Sequence, residues 1–155
     1  MLIKTKWFGE VDIEEDKIIT FEHGLMGFND YKRYTILYDI EEEGKHTISW
    51  LQSVEEESLA LPVMNPNLVY RDYNPIIEDE LLKSIGELNE ENIVILLTVS
   101  ASSDVKKTSV NLKAPLIINS DTKKGNQVIA DNSDYPIKYN VYEAVQKMKK
   151  EEGEV

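Results

Sequence analysis

Cysteine is absent from the 155-residue chain, and histidine occurs only twice. Without cysteine the chain has no disulfide framework, no thiol nucleophile and no thiolate metal site. Neither His23 nor His46 has a serine or aspartate at a recognised triad spacing, so we interpret both histidines as structural. Phosphate-binding loops of the type G-x-x-x-x-G-K and the dinucleotide-binding motif G-x-G-x-x-G are missing too. The sequence therefore carries little of the chemistry that an enzyme needs.

Long apolar runs are also missing. The longest strictly apolar stretch is Ile93–Leu97, whereas a bilayer-spanning helix needs roughly 20 residues. The first residues, Met1–Lys6, are not followed by the apolar core of a signal peptide. We therefore expect a cytoplasmic protein that does not bind membranes. The length favours a single domain over residues 1–150, followed by a frayed acidic tail at 151–155.

Acidic residues are plentiful, but their spacing does not match a calcium loop. The stretch that begins at Asp39 imitates the start of an EF-hand, yet its twelfth position is Trp50, where a bidentate glutamate is required. A second stretch, from Asp131, has Tyr142 at that position. We expect no metal site. A carboxylate pair of the kind that hydrolases use stays open, because such a pair is defined by its separation in space.

The net charge of −12 is distributed unevenly along the chain. Residues 1–100 hold 8 basic and 21 acidic side chains, whereas residues 101–155 hold 9 and 8. Direct binding to nucleic acid is disfavoured, because affinity for a phosphate backbone comes from lysine and arginine. A basic protein partner would complement the acidic portion. The alternative is that the acidity only keeps the protein soluble.

Short strand-like segments separated by turn signals predict a mainly β fold, either an antiparallel barrel or a sandwich. The predicted strands are Leu2–Phe8, Lys17–Phe21, Arg33–Ile40, His46–Gln52, Leu59–Met64, Ile93–Ser100, Lys107–Leu112, Pro115–Asn119 and Gln127–Ala130. The apolar run Ile93–Leu97 is typical of a central strand buried on both faces. A loop is predicted over Ser120–Gly125.

Two short helices are predicted. Glu78–Ile85 has an acidic first turn and is followed by Gly86, which is typical of a helix end. The C-terminal segment Val141–Lys150 is preceded by Asn140, a good N-cap, and carries Glu143 at the capping-box position.

The segment Thr108–Asn119 combines a strand pattern with a strand breaker. Alternate apolar residues from Val110 to Ile118 fall on one parity, yet Pro115 interrupts them and cannot donate to a sheet ladder. Twelve residues of strand would extend about 40 Å, compared with roughly 17–20 Å for a typical strand. We therefore predict two strands joined by a corner near Pro115, where the side-chain amide of Asn111 holds the backbone.

Four motifs, in this order and spacing, resemble the flagellar assembly factor FliW family. They are F-x-x-G-L-x-G-F at Phe21–Phe28, W-L-Q-S at Trp50–Ser53, L-P-V-x-x-P at Leu61–Pro66 and V-N-L-x-A-P-x-I-I-N at Val110–Asn119. The resemblance runs from about Ile3 to Tyr139. Met26 stands where the pattern has proline, and Asn65 stands where aspartate usually precedes the proline.

The resemblance implies a non-enzymatic binding protein with the fold of a small open antiparallel β-barrel and no cofactor. It also implies two protein partners, the basic RNA-binding translational repressor CsrA and flagellin. Binding to CsrA would relieve repression of flagellin translation, and cytoplasmic flagellin would hold the protein away from CsrA. When free, the protein is expected to be a monomer.

The resemblance does not assign contact residues. We interpret the hallmark residues as turn, core and corner residues: Gly24, Gly27, Trp50, Pro66, Asn111 and Pro115. We predict partner contacts at acids and aromatics of the acidic portion: Glu41, Glu42, Glu43, Glu55, Glu56, Glu57, Tyr70, Asp72 and Tyr73. The alternative is that these clusters are ordinary solvated turns.

Two other classes of function remain open. A small-molecule carrier would need an apolar cavity inside the barrel, and a hydrolase would need two acids that converge in a cleft. A barrel interior filled by Ile48, Trp50, Leu97 and Leu112 would disfavour both.

Overall fold

The computed structural model describes residues 1–38 and 48–153. The strands of these residues are β1 (Leu2–Lys4), β2 (Glu10–Asp12), β3 (Ile19–Thr20), β4 (Arg33–Leu37), β5 (Ser49–Ser53), β6 (Ala60–Met64), β7 (Ile93–Ser100), β8 (Ser109–Val110), β9 (Leu116–Asn119), β10 (Lys124–Gln127) and β11 (Tyr139–Asn140). The α-helix α1 spans Val141–Gly153. Short 3₁₀ helices span Glu15–Lys17, Pro66–Leu68, Asp79–Ile85 and Val105–Lys107.

Seven strands form a closed ring in the order β7-β6-β5-β4-β3-β10-β9, because β9 pairs back with β7. The predicted mainly β fold with a small barrel is confirmed, and the ring is closed where the resemblance implied an open one. The neighbouring strands of the ring are antiparallel except at one seam, where β10 and β3 run parallel and share the single pair Lys124↔Thr20. Strands β8 and β11 extend the sheet beyond the ring.

The barrel interior is filled by large apolar side chains. Its buried members are Ile19, Phe21, Leu25, Tyr34, Leu51, Leu59, Val63, Leu116 and Ile118. The rings of Phe21 and Tyr34 meet edge to face, with centroids 5.7 Å apart. The interior is therefore a packed hydrophobic core rather than a ligand-binding cavity.

A second apolar cluster, separate from the barrel interior, packs beneath α1. Its buried members are Met64, Val69, Leu97, Val99, Val110, Leu112, Ala130, Tyr135 and Ala144. Leu97 and Leu112 are therefore buried as expected, but they belong to this cluster. The expectation for Ile48 is wrong, since its side chain is 37% exposed.

The predicted strand Ile93–Ser100 is confirmed, but its burial on both faces is not. Ile93 and Val94 are each 37% exposed, whereas Leu97 is fully buried. The uncovered end of β7 is the part that pairs with β9, at Ile93↔Asn119 and Val94↔Ile118. The apolar run thus continues beyond the part of β7 that the neighbouring elements cover.

The predicted strand Gln127–Ala130 is wrong in its position, because β10 begins three residues earlier at Lys124. Gly125, which sequence patterns place in a loop, lies inside this strand. An added Cβ atom at Gly125 would stand 2.6 Å from the ring of Phe21, so glycine here serves close packing rather than a turn. The short strands β2 and β11 were not predicted.

Both predicted helices are present. The first, Asp79–Ile85, is a 3₁₀ helix with Gly86 as its C-cap, as expected. The second, α1, begins at Val141, and the Asn140 Oδ1 atom accepts a hydrogen bond from the Glu143 backbone N–H at 2.8 Å. Helix α1 continues to Gly153, three residues beyond the predicted end, so the predicted tail at 151–155 begins within the helix.

An N-terminal hairpin, β1–β2, packs against the outside of the barrel. Ile3 of β1 and Thr5, directly after β1, are buried. The Lys6 backbone N–H donates to the Gln52 side-chain oxygen at 3.0 Å, which joins the hairpin to β5.

Candidate partner-binding surface

The predicted corner between β8 and β9 is confirmed. Both strands pair with β7, but Val110 and Leu116 are six positions apart, whereas their partners Val99 and Leu96 are three positions apart. The extra residues form the corner. The side-chain oxygen of Asn111 accepts the backbone N–H groups of two corner residues, Lys113 and Ala114, at 3.0 Å each.

Pro115 completes the corner. It is buried, and its carbonyl oxygen accepts the Val128 backbone N–H at 3.1 Å. Because no ladder hydrogen bond is required from its nitrogen, proline is tolerated here inside a strand pattern. Asn111 and Pro115 therefore have structural roles, as predicted.

The two glycines of the first motif form a tight turn. Gly24 has φ of +69° and Gly27 has φ of +88°, a region that favours glycine. An added Cβ atom at Gly24 would also stand 2.7 Å from the backbone of Asn29. Leu25, between them, is buried in the barrel core. These backbone angles agree with the interpretation of Gly24 and Gly27 as turn residues.

Trp50 and Pro66 have different surroundings. Pro66 is buried at the first position of a 3₁₀ helix whose cap, Asn65, accepts the Asn67 backbone N–H at 2.9 Å. Trp50 was expected in the barrel interior, and this is wrong. It alternates with the interior residue Leu51 and so lies on the outer face, half-buried against Trp7 at a centroid distance of 5.7 Å.

Glu55 has a structural partner in the free protein. Its carboxylate accepts the backbone N–H groups of Lys32 and Arg33 at 2.7 Å and 3.0 Å. These two hydrogen bonds lower the pKa of the Glu55 carboxyl below its usual range. Glu55 thereby holds the chain at the start of β4, even though its side chain is exposed.

The neighbouring glutamates are less engaged with the fold. The Glu56 carboxylate accepts hydrogen bonds from the backbone N–H and the hydroxyl group of Ser58. These hydrogen bonds lower the pKa of the Glu56 carboxyl. Glu57 is exposed. Glu41, Glu42 and Glu43 lie outside the described residues. Contact of these acids with a partner stays a prediction.

Tyr70 and Tyr73 belong to a cluster of four tyrosines beside α1. The ring of Tyr70 meets those of Tyr73, Tyr135 and Tyr139 at centroid distances of 6.1, 5.4 and 5.6 Å. Tyr73 stacks on Tyr135 at 4.9 Å, and its hydroxyl donates to the Leu112 carbonyl at 2.7 Å. Burial raises the pKa of both Tyr70 and Tyr73 above the usual tyrosine value.

This cluster links the Tyr70 loop to the corner, since Leu112 lies directly after Asn111. Tyr73 is therefore a structural residue in the free chain, while Asp72 is exposed. The contacts of Tyr70 and Tyr73 are with the α1 side of the molecule, whereas Glu55 contacts the start of β4. We see no contact that joins the two predicted clusters into one site among the described residues.

A groove of about 520 Å³ opens at one end of the barrel, beside the N-terminal hairpin. We call it the acid-rimmed groove and define it by three apolar and three acidic residues that line it: Ile36, Val94 and Ile118, and Asp12, Glu14 and Asp16. Ile118 is buried and Ile36 is half-buried, while the three acids are exposed. Sequence reasoning missed this feature. The sequence feature that could have indicated the groove is the acidic segment 10–16, which lies next to the predicted strand that begins at Lys17.

The described residues contain no group of three or more histidine, aspartate or glutamate side chains placed to hold a metal ion. The pKa values of Glu55 and Glu56 are lowered, which is opposite to what a general acid needs.

The described helices include none that is long and apolar enough to cross a membrane.

The architecture matches that of a known class of protein. A crystal structure of the flagellar assembly factor FliW superposes with a TM-score of 0.80 at 28% identity, and the match covers 91% of this chain and 96% of that one. The fold is thus that of the small β-barrel flagellar assembly factors.

The sequence comparisons agree with the fold. The family model described as FliW protein matches residues 2–141. A flagellar assembly factor FliW of Lachnoclostridium phytofermentans is 57% identical over 155 residues, which cover 99% of each chain. One from Lachnospira eligens is 48% identical over 148 residues, covering 95% of this chain and 98% of that protein. The chain belongs to the FliW family.

Proposed function

We propose that this protein is a non-enzymatic regulator that binds the translational repressor CsrA and flagellin in the cytoplasm. Binding to CsrA relieves repression of flagellin translation, and binding to flagellin holds the protein away from CsrA. The observation that carries the proposal is membership of the FliW family over nearly the whole chain, at 57% identity to one flagellar assembly factor. Two features of the molecule support it independently.

The first is electrostatic. A net charge of −12, concentrated in residues 1–100, complements a basic RNA-binding protein and accelerates its association. The same charge disfavours direct binding of this protein to messenger RNA. Regulation would then act through the repressor rather than through the transcript.

The second is the packed barrel interior. Phe21, Tyr34 and Leu51 are fully buried there, so the interior supplies the stability of the fold rather than a ligand cavity. This disfavours the carrier alternative, since larger barrels that carry ligands keep their interior open. We therefore expect the partners to bind at the surface of the barrel.

The test uses purified components. The untagged protein is mixed with CsrA and, separately, with flagellin monomer, and complexes are measured by calorimetry and size-exclusion chromatography. We expect a complex with each partner, and we expect addition of the protein to restore in vitro translation of a flagellin transcript that CsrA represses. Failure to bind CsrA, together with unrelieved repression, would contradict the proposal.

A further inference from the structure

The acid-rimmed groove leaves apolar surface open where the sequence pattern calls for burial. The run Ile93–Leu97 has the composition of a strand covered on both faces, yet Val94 is 37% exposed at the groove. Tyr38, which also lines the groove, is 53% exposed. Beneath them Ile36 and Ile118 continue into the barrel core. The groove therefore offers an apolar floor that is continuous with the interior of the molecule.

The lining of the groove includes three acidic and two basic side chains. Asp12, Glu14 and Asp16 line the groove, and the Asp12 carboxylate pairs with the N-terminal ammonium group at 2.9 Å. The carboxylates of Glu14 and Asp16 make no ion pair or hydrogen bond with another described residue. Two lysines, Lys17 and Lys123, line the groove as well. A ligand that is only a string of positive charges is thus disfavoured, and an apolar anchor is needed.

We infer that the acid-rimmed groove is the docking site for a segment of a basic protein partner. The segment inserts one or two large apolar side chains over Ile36, Val94 and Ile118, and it places a lysine or arginine beside Glu14 and Asp16. A groove of about 520 Å³ lies within the size range of sites that take such groups. An apolar centre with a charged rim is also the usual anatomy of a protein interface. This inference rests on the proposed function, because it assigns the surface at which the basic repressor binds.

The experiment compares matched substitutions in the apolar floor. Val94→Asp changes the groove, and Ile93→Asp changes the adjacent residue of the same strand, which has the same exposed fraction but does not line the groove. We expect Val94→Asp to weaken binding of CsrA by about tenfold or more, as for a central interface residue. Ile93→Asp is expected to change the dissociation constant less than about twofold. Val94→Thr is the second variant, used if the aspartate prevents folding, and we expect it to weaken binding in the same direction.

A second pair of variants addresses the rim. Glu14→Gln combined with Asp16→Asn removes two groove charges, whereas Asp131→Asn combined with Asp134→Asn removes two exposed charges elsewhere. We expect the first pair to slow association with CsrA at least about threefold at low ionic strength, and the second pair to change it much less. An equal effect of the two pairs would show that only net charge matters.

The outcomes separate the inference from the proposed function. If the wild-type protein binds CsrA and folded Val94 variants bind equally well, the groove assignment is wrong and the proposed function stands. If the groove variants lose flagellin and keep CsrA, the occupant is flagellin and the assignment to the basic partner is overturned. If the wild-type protein binds neither protein, both proposals fail.

Discussion

The side-chain oxygen of Asn111 lies 3.0 Å from the backbone nitrogen of Ala114, and it accepts that N–H group together with the N–H of Lys113. One amide side chain thus closes the corner at which a single strand pattern becomes two strands. The interaction replaces ladder hydrogen bonds that the corner residues cannot make.

Replacement of Asn111 by alanine leaves the Lys113 and Ala114 N–H groups without this acceptor. We expect a loss of about 1–3 kcal/mol in the free energy of unfolding, measured by urea denaturation, with binding of CsrA retained by the folded fraction. Asn111→Asp keeps an acceptor oxygen at the same place and should recover much of the loss. Unchanged stability together with lost binding would make Asn111 a contact residue instead.

The hydrogen bonds of Glu55 imply that the free energy of unfolding depends on pH. Its pKa is lowered from 4.5 in the folded protein by hydrogen bonds from Lys32 and Arg33. The charged form is therefore favoured by folding, and its contribution is present above pH 4.5 and is lost as the pH falls through the lower folded-state pKa. We expect Glu55→Gln to cost no more than about 1 kcal/mol at neutral pH, because the side chain is exposed.

The control for this prediction is Glu57→Gln, an exposed neighbour of the same charge. Unfolding free energies of both variants are measured between neutral pH and the acid transition. The wild-type protein and Glu57→Gln should lose stability on acidification more steeply than Glu55→Gln. Parallel curves for all three proteins would remove the structural role assigned to Glu55.

Tyr73→Phe removes the hydroxyl that donates to the Leu112 carbonyl while it keeps the ring stacked on Tyr135. We expect a loss of about 1–2 kcal/mol, because the carbonyl of the buried residue Leu112 loses this donor. Tyr142→Phe, on an exposed position of α1, is the matched control and should change stability little. If Tyr73→Phe binds CsrA or flagellin more weakly at unchanged stability, its hydroxyl is an interface group.

Salt should affect association more than dissociation. The Debye length falls from about 30 Å at 0.01 M to about 8 Å at physiological ionic strength, which removes long-range attraction between the acidic portion and a basic partner. Stopped-flow measurements with CsrA are expected to show a steep fall in the association rate over this range. An association rate that is independent of salt would leave solubility as the role of the acidity.

The sequence was informative where local chemistry decides the structure. The corner at Asn111 and Pro115, the turn at Gly24 and the cap at Asn140 depend on side chains that act on their own neighbourhood, and all were predicted. The strand Ile93–Ser100 was also predicted with its observed ends. In each case the pattern and the physical cause lie within a few residues of each other.

Features that depend on distant parts of the chain were missed. Gly125 reads as a turn residue until Phe21, about a hundred positions earlier, is placed against it. The same limit applies to the surface. The local sequence does not indicate that Glu55 contacts Lys32 or that Glu14 and Val94 line one groove, because these segments are distant in the chain and meet only in the folded barrel.

The measurement that tests the central claim most directly is a calorimetric titration of the protein with CsrA, performed with and without saturating flagellin. The account predicts a tight complex with CsrA alone and a weaker one in the presence of flagellin. By linkage, CsrA must then weaken the binding of flagellin by the same factor. Absence of a complex with CsrA, or affinities for the two partners that are independent of each other, would contradict the account.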